Sequence, residues 1–166
     1  MLLKKLLVFI FLGLVLSSNS YSVSLSTEKN YNKQYYHNGT LKAEGWVLGT
    51  TKTDYWFFYH PNGEIAAEGH FSNNKKESYW HFYDTKGRTI KEGHYTSGIA
   101  QDWWIFYDIA SQTEQRFQYK NDKKNGYALI YKKKRLQRAE KYVNNIKTGE
   151  WTSIISFKRD TPDVSL

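Results

Sequence analysis

Aromatic and apolar residues occur in short alternating runs, separated by polar segments rich in glycine and asparagine. Residues 56–59 read Trp-Phe-Phe-Tyr, and alternation places Trp56 and Phe58 on one side of a β-strand and the other two rings on the opposite side. The Pro-Asn-Gly sequence that follows predicts a hairpin turn, and residues 65–71 predict its second strand. The polar residues 72–78 are then expected to turn the chain into the next hairpin.

This hairpin recurs with a period of 24 residues. The recurring positions are Tyr59, Tyr83, Tyr107 and Tyr131; Trp56, Trp80 and Trp104; Gly39, Gly63 and Gly87; Glu44, Glu68 and Glu92; and Gly45, Gly69 and Gly93. A fixed period built from hairpins predicts an all-β repeat fold. A half-unit beginning at residue 35 and a last strand over residues 151–157 are expected to cap its ends.

The tryptophan column and the phenylalanines two residues after it form the predicted core face. The opposite face carries the tyrosine column and is predicted to be partly wet. The repeated glutamates are interpreted as a structural signature that bonds a neighbouring hydroxyl or amide. Toward the C-terminus, Arg135 stands where earlier units have the turn glycine, and this loss of glycine predicts a longer or different loop.

The repeat resembles a known family in the order of its tyrosine, glycine and aromatic positions. The matching residues are Tyr59, Gly63, Glu68, Gly69, Phe71, Trp80, Phe82 and Tyr83, with their counterparts 24 residues away. This pattern is similar to the MORN repeat, closest to the bacterial variant of YwqK-type antitoxin-like proteins. The resemblance implies an elongated antiparallel meander of stacked β-hairpins over residues 35–157, in which each unit contacts only its neighbours.

The N-terminus has the layout of a secretory signal peptide. Lys4 and Lys5 precede an apolar run of 11 residues, residues 6–16, which small polar residues follow. A run this short favours export with cleavage near Ser20 or Ser22 over an uncleaved membrane anchor, since a spanning helix needs about 20 apolar residues. The predicted organisation is therefore a signal peptide (residues 1–22), a linker (23–34), the repeat domain (35–157) and a tail (158–166).

Composition excludes several kinds of chemistry. The chain has no cysteine, so disulfides, thiolate metal sites and cysteine nucleophiles are ruled out. His70 and His94 share one repeat position, which separates them by two strands, roughly 9–10 Å, too far to bind one ion. No nucleotide-binding or hydrolase motif occurs. The sequence predicts a non-catalytic protein without a cofactor or a metal.

Positive charge is concentrated near the C-terminus. Residues 116–166 hold 13 basic and five acidic side chains, whereas residues 23–115 hold nine and eleven. The cluster at and after one predicted turn comprises Lys132, Lys133, Lys134, Arg135 and Arg138. Such a cluster is either a solvated face or a site for an acidic protein, an anionic lipid or an anionic polymer. Export argues against nucleic acid as the partner.

Two functions are consistent with these features. The first is an exported protein-binding or scaffolding module, in an antitoxin-like or immunity-like version. The alternative is a cell-envelope protein that binds glycans or anionic lipids through the basic cluster and the tyrosine ladder of Tyr59, Tyr83, Tyr107 and Tyr131. That ladder is otherwise explained by cross-strand aromatic packing.

Overall fold

The computed structural model of the chain describes residues 28–164 and contains one open, antiparallel sheet. Its eleven strands follow one another in chain order, and a short helix ends the fold. The elements are β1 (Lys29–Tyr35), β2 (Leu41–Leu48), β3 (Thr51–Tyr59), β4 (Ile65–Ser72), β5 (Lys75–Tyr83), β6 (Thr89–Thr96), β7 (Ile99–Asp108), β8 (Thr113–Lys120), β9 (Lys123–Lys132), β10 (Arg135–Val143), β11 (Ile146–Trp151) and α1 (Ile154–Asp160). The predicted elongated meander of hairpins is therefore confirmed.

The strands are longer and the turns between units shorter than the sequence pattern predicts. The polar residues 72–78 contain only a two-residue turn at Asn73 and Asn74, whose φ angles are 50° and 63°. Asparagine tolerates this left-handed region better than most residues, and such a turn matches the twist of the paired strands. The polar residues after the turn belong to β5, because a strand in this open sheet does not need apolar side chains on both faces.

The tryptophan column forms the core of one face, as predicted. Trp56 and Trp80 are fully buried. Trp80 pairs in register with Gly69 on the preceding strand, and a Cβ atom at Gly69 would lie only 2.5 Å from the indole ring. The indole therefore lies flat against the glycine backbone, and its Nε1 donates a hydrogen bond to the carbonyl of His70 at 3.0 Å. Gly45 and Gly93 are related to Trp56 and Trp104 in the same way.

The other glycine column serves the turns at one edge of the sheet. Gly39, Gly63 and Gly87 have φ angles of 81°, 90° and 73°, which only glycine adopts without strain. In the second of these turns, the Gly63 amide donates to the His60 carbonyl at 2.9 Å. The side chain of Asn62 donates to the carbonyl of Thr85 in the next turn at 2.8 Å. The predicted turn role of this column is confirmed, and neighbouring turns are bonded to each other.

The C-terminal end differs from the prediction. The expected last strand over residues 151–157 is wrong, because β11 ends at Trp151 and α1 follows it. The helix packs on the face opposite the tryptophans, where it buries Phe157 completely against Leu129 and Ala139. This contact stabilises the helix, because a seven-residue segment has little helical preference of its own without packing. The opposite face is therefore dry at this end rather than partly wet.

The two predicted boundary segments also contain ordered structure. The predicted linker, residues 23–34, is wrong from Lys29 onward, since those residues form most of edge strand β1. In the predicted tail, residues 158–166, Thr161 is buried and its hydroxyl donates to the Phe157 carbonyl at 2.6 Å. The predicted signal peptide, residues 1–22, lies outside the described residues. Within residues 28–164, no helix has the length and apolar character needed to cross a membrane.

Candidate binding surfaces

The face opposite the tryptophans carries a row of tyrosine–glutamate pairs, and we call it the carboxylate face. The hydroxyls of the tyrosine ladder donate to the repeated glutamates: Tyr59 to Glu44 at 2.7 Å, Tyr83 to Glu68 at 2.6 Å and Tyr107 to Glu92 at 2.8 Å. Each pair joins residues 15 apart on adjacent strands. The predicted bond between the repeated glutamate and a neighbouring hydroxyl is confirmed.

These pairs keep the tyrosine hydroxyls protonated. Burial and the hydrogen bond to glutamate raise the pKa of Tyr59, Tyr83 and Tyr107 far above the ordinary tyrosine value. The hydrogen bond from Tyr59 lowers the pKa of Glu44, and a further contribution comes from Lys33 at 3.3 Å. Each hydroxyl is therefore a stable hydrogen-bond donor rather than a nucleophile or a base.

The last member of the ladder has a different partner. Arg116 occupies the glutamate position, and its guanidinium lies 4.9 Å from the centre of the Tyr131 ring. Arg116 also forms an ion pair with Glu114 at 2.6 Å. The ladder therefore consists of three rings fixed by their hydroxyls and a fourth covered by a cation. The four tyrosines do form the predicted row, but their side chains are only half-exposed.

The Tyr59–Glu44 pair predicts a measurable pH dependence of stability. The folded-state pKa of Glu44 is lowered, so its ionised carboxylate stabilises the folded protein. This stabilisation is fully present above the unfolded-state pKa of Glu44 and is lost as the pH falls through its folded-state pKa. Tyr59→Phe is expected to lower the free energy of unfolding at pH 7 by about 1 kcal/mol. It is also expected to flatten the loss of stability between about pH 5 and pH 3, measured by urea unfolding.

Tyr35 offers a matched control for this change. It occupies the same repeat position, but its side chain is 58% exposed and the glutamate position of its unit falls outside residues 28–164. Tyr35→Phe is expected to leave the stability–pH curve unchanged. Parallel curves for Tyr59→Phe and the parent would contradict the assigned role of the hydrogen bond.

The basic cluster divides into a free part and a paired part. Lys132, Lys133, Lys134 and Arg135 are exposed around the turn between β9 and β10. Arg138, in contrast, bonds the buried carboxylate of Glu140, with its Nε 2.8 Å from Oε1. Only the turn residues therefore form an unpaired positive surface within this cluster.

The turn in the basic cluster differs from the turns of the earlier units, as predicted, but the expectation of a longer, looser loop is wrong. The chain turns in two residues rather than in a longer loop, with φ angles of 50° at Lys133 and 62° at Lys134. Lys132 and Arg135 pair across the turn, so the two strands remain hydrogen-bonded to their ends. Such a two-residue turn, with positive φ at both positions, suits the twist of a hairpin and needs no glycine at position 135.

This short turn creates a cleft beside the longer loop of the preceding hairpin. The cleft has a volume of about 510 Å³, and its lining includes Tyr107, Ile109, Glu114, Lys133 and Lys134. One ring of the tyrosine ladder and two lysines of the basic cluster therefore meet at one edge of the sheet. Tyr59 and Tyr83 do not line this cleft.

Besides the basic cluster, the sheet carries a row of lysines on its tryptophan side that the sequence interpretation missed. We call this side the aromatic face. The Nζ atom of Lys52 lies 4.5 Å from the Trp56 ring centre, and that of Lys76 lies 4.6 Å from Trp80. Lys124 lies 3.5 Å from Phe117. Burial lowers the pKa of all three lysines. The repeat period could have revealed this row, since Lys52 and Lys76 are 24 residues apart and Lys124 lies two periods after Lys76.

Other chemistry is sparse in the part of the chain that the structure describes. No three histidine, aspartate or glutamate side chains between residues 28 and 164 come together to hold a metal ion. His81 instead contacts the Glu92 carboxylate at 3.0 Å, and His60 contacts the carbonyl of Tyr83 at 3.0 Å. No protein-family model matches the chain, and no curated protein matches it. The MORN resemblance therefore remains a prediction carried by the repeat residues themselves.

Proposed function

We propose that the protein is an exported, non-catalytic MORN-type repeat protein that binds or scaffolds another protein, in an antitoxin-like or immunity-like role. The observation that supports this function is the single-layer sheet. Folded domains usually bury an apolar sheet face under a second layer of helices or strands. Between residues 28 and 164, the only helix packs on the carboxylate face, at its C-terminal end.

The aromatic face is therefore covered only by its own side chains. The amines of Lys52 and Lys76 lie over the rings, and both side chains are only partly exposed. Such a face offers a continuous surface of repeated chemistry along the sheet, as binding surfaces of other repeat proteins do. A partner that covers it would bury aromatic area, which favours association.

A second function is supported by the cleft beside the basic turn. Tyr107, Lys133 and Lys134 combine a tyrosine ring with two amines in a volume that suits a sugar or a lipid headgroup. Binding of a cell-envelope glycan or an anionic lipid is therefore the alternative. Replacing Lys133 and Lys134 with serine would weaken such binding and leave a partner on the aromatic face unaffected.

Cross-linking in intact cells tests the proposed function directly. The full chain, carrying a C-terminal tag, is treated with a cross-linker that cannot pass the inner membrane, and the purified adduct is identified by mass spectrometry. We expect one defined protein to be captured and the N-terminus of the purified chain to begin near Ser20 or Ser22. Cross-linking that needs a membrane-permeable reagent, with Met1 still present, would contradict export. Capture of no protein by either reagent would contradict the binding function.

A further inference from the structure

The lysines of the aromatic face form no close ion pair within residues 28–164. Lys52, Lys76 and Lys124 take part in none of the ion pairs found between residues 28 and 164. The repeated glutamates point to the opposite face, where tyrosine hydroxyls bind them. The aromatic face therefore presents cations at Lys52 and Lys76 whose desolvation by the rings is not offset by a carboxylate. The third lysine, Lys124, is attracted by Glu140 but forms no ion pair with it.

One position in this lysine row is vacant. The row follows the 24-residue period, but its third member is Ala100 rather than lysine. In the second unit, the Lys76 amine lies within 5.1 Å of the ring centres of Trp80, Phe82 and Tyr95. The corresponding rings of the third unit are Trp104, Phe106 and Tyr119, and no amine of the described chain covers them from this position.

A pocket lies beside the rings of this third unit. It has a volume of about 190 Å³ and is lined by Phe106, Gln115, Phe117, Tyr119 and Lys124. Three aromatic rings therefore form a site large enough for one apolar side chain, and an amine stands at its side. Two of these rings, Phe106 and Tyr119, correspond to the rings that the Lys76 side chain covers in the second unit.

The spacing of the row sets the form of the partner. One repeat is two strands wide, so successive positions lie roughly 9–10 Å apart across the sheet. A polyproline II segment has three residues per turn and rises about 3.1 Å per residue, which places every third side chain on one side at about 9.3 Å. The match favours an extended segment that presents every third side chain to the sheet.

We propose that the aromatic face binds an extended acidic segment of a partner protein, with carboxylates beside Lys52, Lys76 and Lys124 and one apolar side chain in the pocket lined by Phe106, Phe117 and Tyr119. This inference rests on the protein-binding function proposed above and names the chemistry of the partner. The apolar side chain fixes the register of the segment, and the carboxylates supply the charge that the lysines lack.

Peptide binding by the full chain tests this assignment. The probe is a fluorescent ten-residue peptide with glutamate at its first, fourth and tenth positions, phenylalanine at its seventh and proline elsewhere, together with its reversed sequence. The variant Lys76→Met, Lys124→Met keeps the apolar stems over the rings and removes two charges. The reference is whichever of the two peptides the parent protein binds more tightly. We expect the double variant to weaken binding of that peptide by about tenfold or more, measured by fluorescence anisotropy.

The chain contains a matched control for this variant. Lys75 and Lys123 directly precede the two tested lysines and point to the opposite face, since side chains alternate along a strand. Lys75→Met, Lys123→Met therefore has the same net charge and leaves the aromatic face unchanged. We expect it to bind the peptide within about twofold of the parent. Equal weakening by both double variants would overturn the proposal and indicate unspecific charge attraction.

Ala100→Lys separates the pocket from the charge. It restores the repeat, adds one positive charge and, by analogy with Lys76, extends a side chain over Phe106 and Tyr119, two rings of the pocket. We therefore expect it to weaken binding of the phenylalanine peptide by about tenfold. A peptide with glutamate in place of the phenylalanine is expected to bind Ala100→Lys at least as tightly as the parent. Tighter binding of both peptides to Ala100→Lys would overturn the role of the pocket.

The remaining outcomes identify other occupants. Vesicles containing phosphatidylglycerol, or heparin, that bind more tightly than either peptide and respond to the same variants would overturn the proposal in favour of a lipid or a polysaccharide. In the cellular cross-linking experiment, capture that Lys76→Met, Lys124→Met leaves unchanged would overturn this inference while the binding function stands. Thermal unfolding of each variant shows whether a loss of binding reflects a loss of folding.

Discussion

Trp80→Ala is expected to lower the free energy of unfolding by about 3–5 kcal/mol, the usual cost of truncating a buried tryptophan. Trp80 is completely buried in a middle unit, and its ring contacts Phe71 at 5.1 Å and Phe82 at 6.0 Å between ring centres. A domain has only about 5–15 kcal/mol of stability in total. Urea unfolding monitored by circular dichroism should show a midpoint shifted to much lower denaturant.

Trp46 is the matched control for this substitution. It is also a strand tryptophan, but it is 38% exposed and lies outside the core column, where it contacts only Tyr31 and Lys29 among aromatic and cationic neighbours in residues 28–164. Trp46→Ala is expected to cost about 1 kcal/mol, because less apolar area returns to water. Equal losses for the two variants would show that the tryptophan column is not the core.

Gly69→Ala is expected to destabilise the protein by about 2–3 kcal/mol, although it adds a single methyl group. The new Cβ atom would lie 2.5 Å from Cδ2 of Trp80, so the indole must leave its position against the backbone. The ring cannot move freely, because its Nε1 is bonded to the carbonyl of His70 and Phe58 packs beside it. The same unfolding measurement gives the loss.

A double-mutant cycle identifies the cause of this loss. In the Trp80→Ala background the indole is absent, and the Cβ atom at position 69 has room. There, Gly69→Ala is expected to cost nothing or to stabilise the strand slightly, because alanine loses less backbone entropy on folding than glycine. A loss of the same size in both backgrounds would locate the strain in the backbone rather than in the contact with the ring.

Much of this architecture could be predicted from local patterns because the same pattern is repeated. Alternation at Trp56 and Phe58 indicated strands, and glycine at positions 39, 63 and 87 indicated turns that need positive φ. Each column occurs three or more times, so that one irregular residue does not hide the unit. The hydrogen bond between the repeated tyrosine and the repeated glutamate could also be predicted, since both residues recur with the same 24-residue period.

The positions where the chain departs from its repeat were predicted poorly. At Lys133 and Lys134 the loss of glycine indicated a changed turn, but the direction of the change depended on how far β9 and β10 remain paired. Residues 154–160 form a helix only because Phe157 finds Leu129 and Ala139 on the adjacent face. A seven-residue segment has little helical preference of its own without such packing.

The tertiary structure alone decided which side chains share a surface. Period and turn chemistry act within a few residues, and they specify hairpins, core columns and glycine turns. The lysine row over the rings, the pocket between Phe106 and Lys124 and the cleft between Tyr107 and Lys134 join residues from different hairpins. Their formation depends on the strand register, because the register determines which face of the sheet each side chain occupies. A shift of one residue in the register of a strand would separate these side chains.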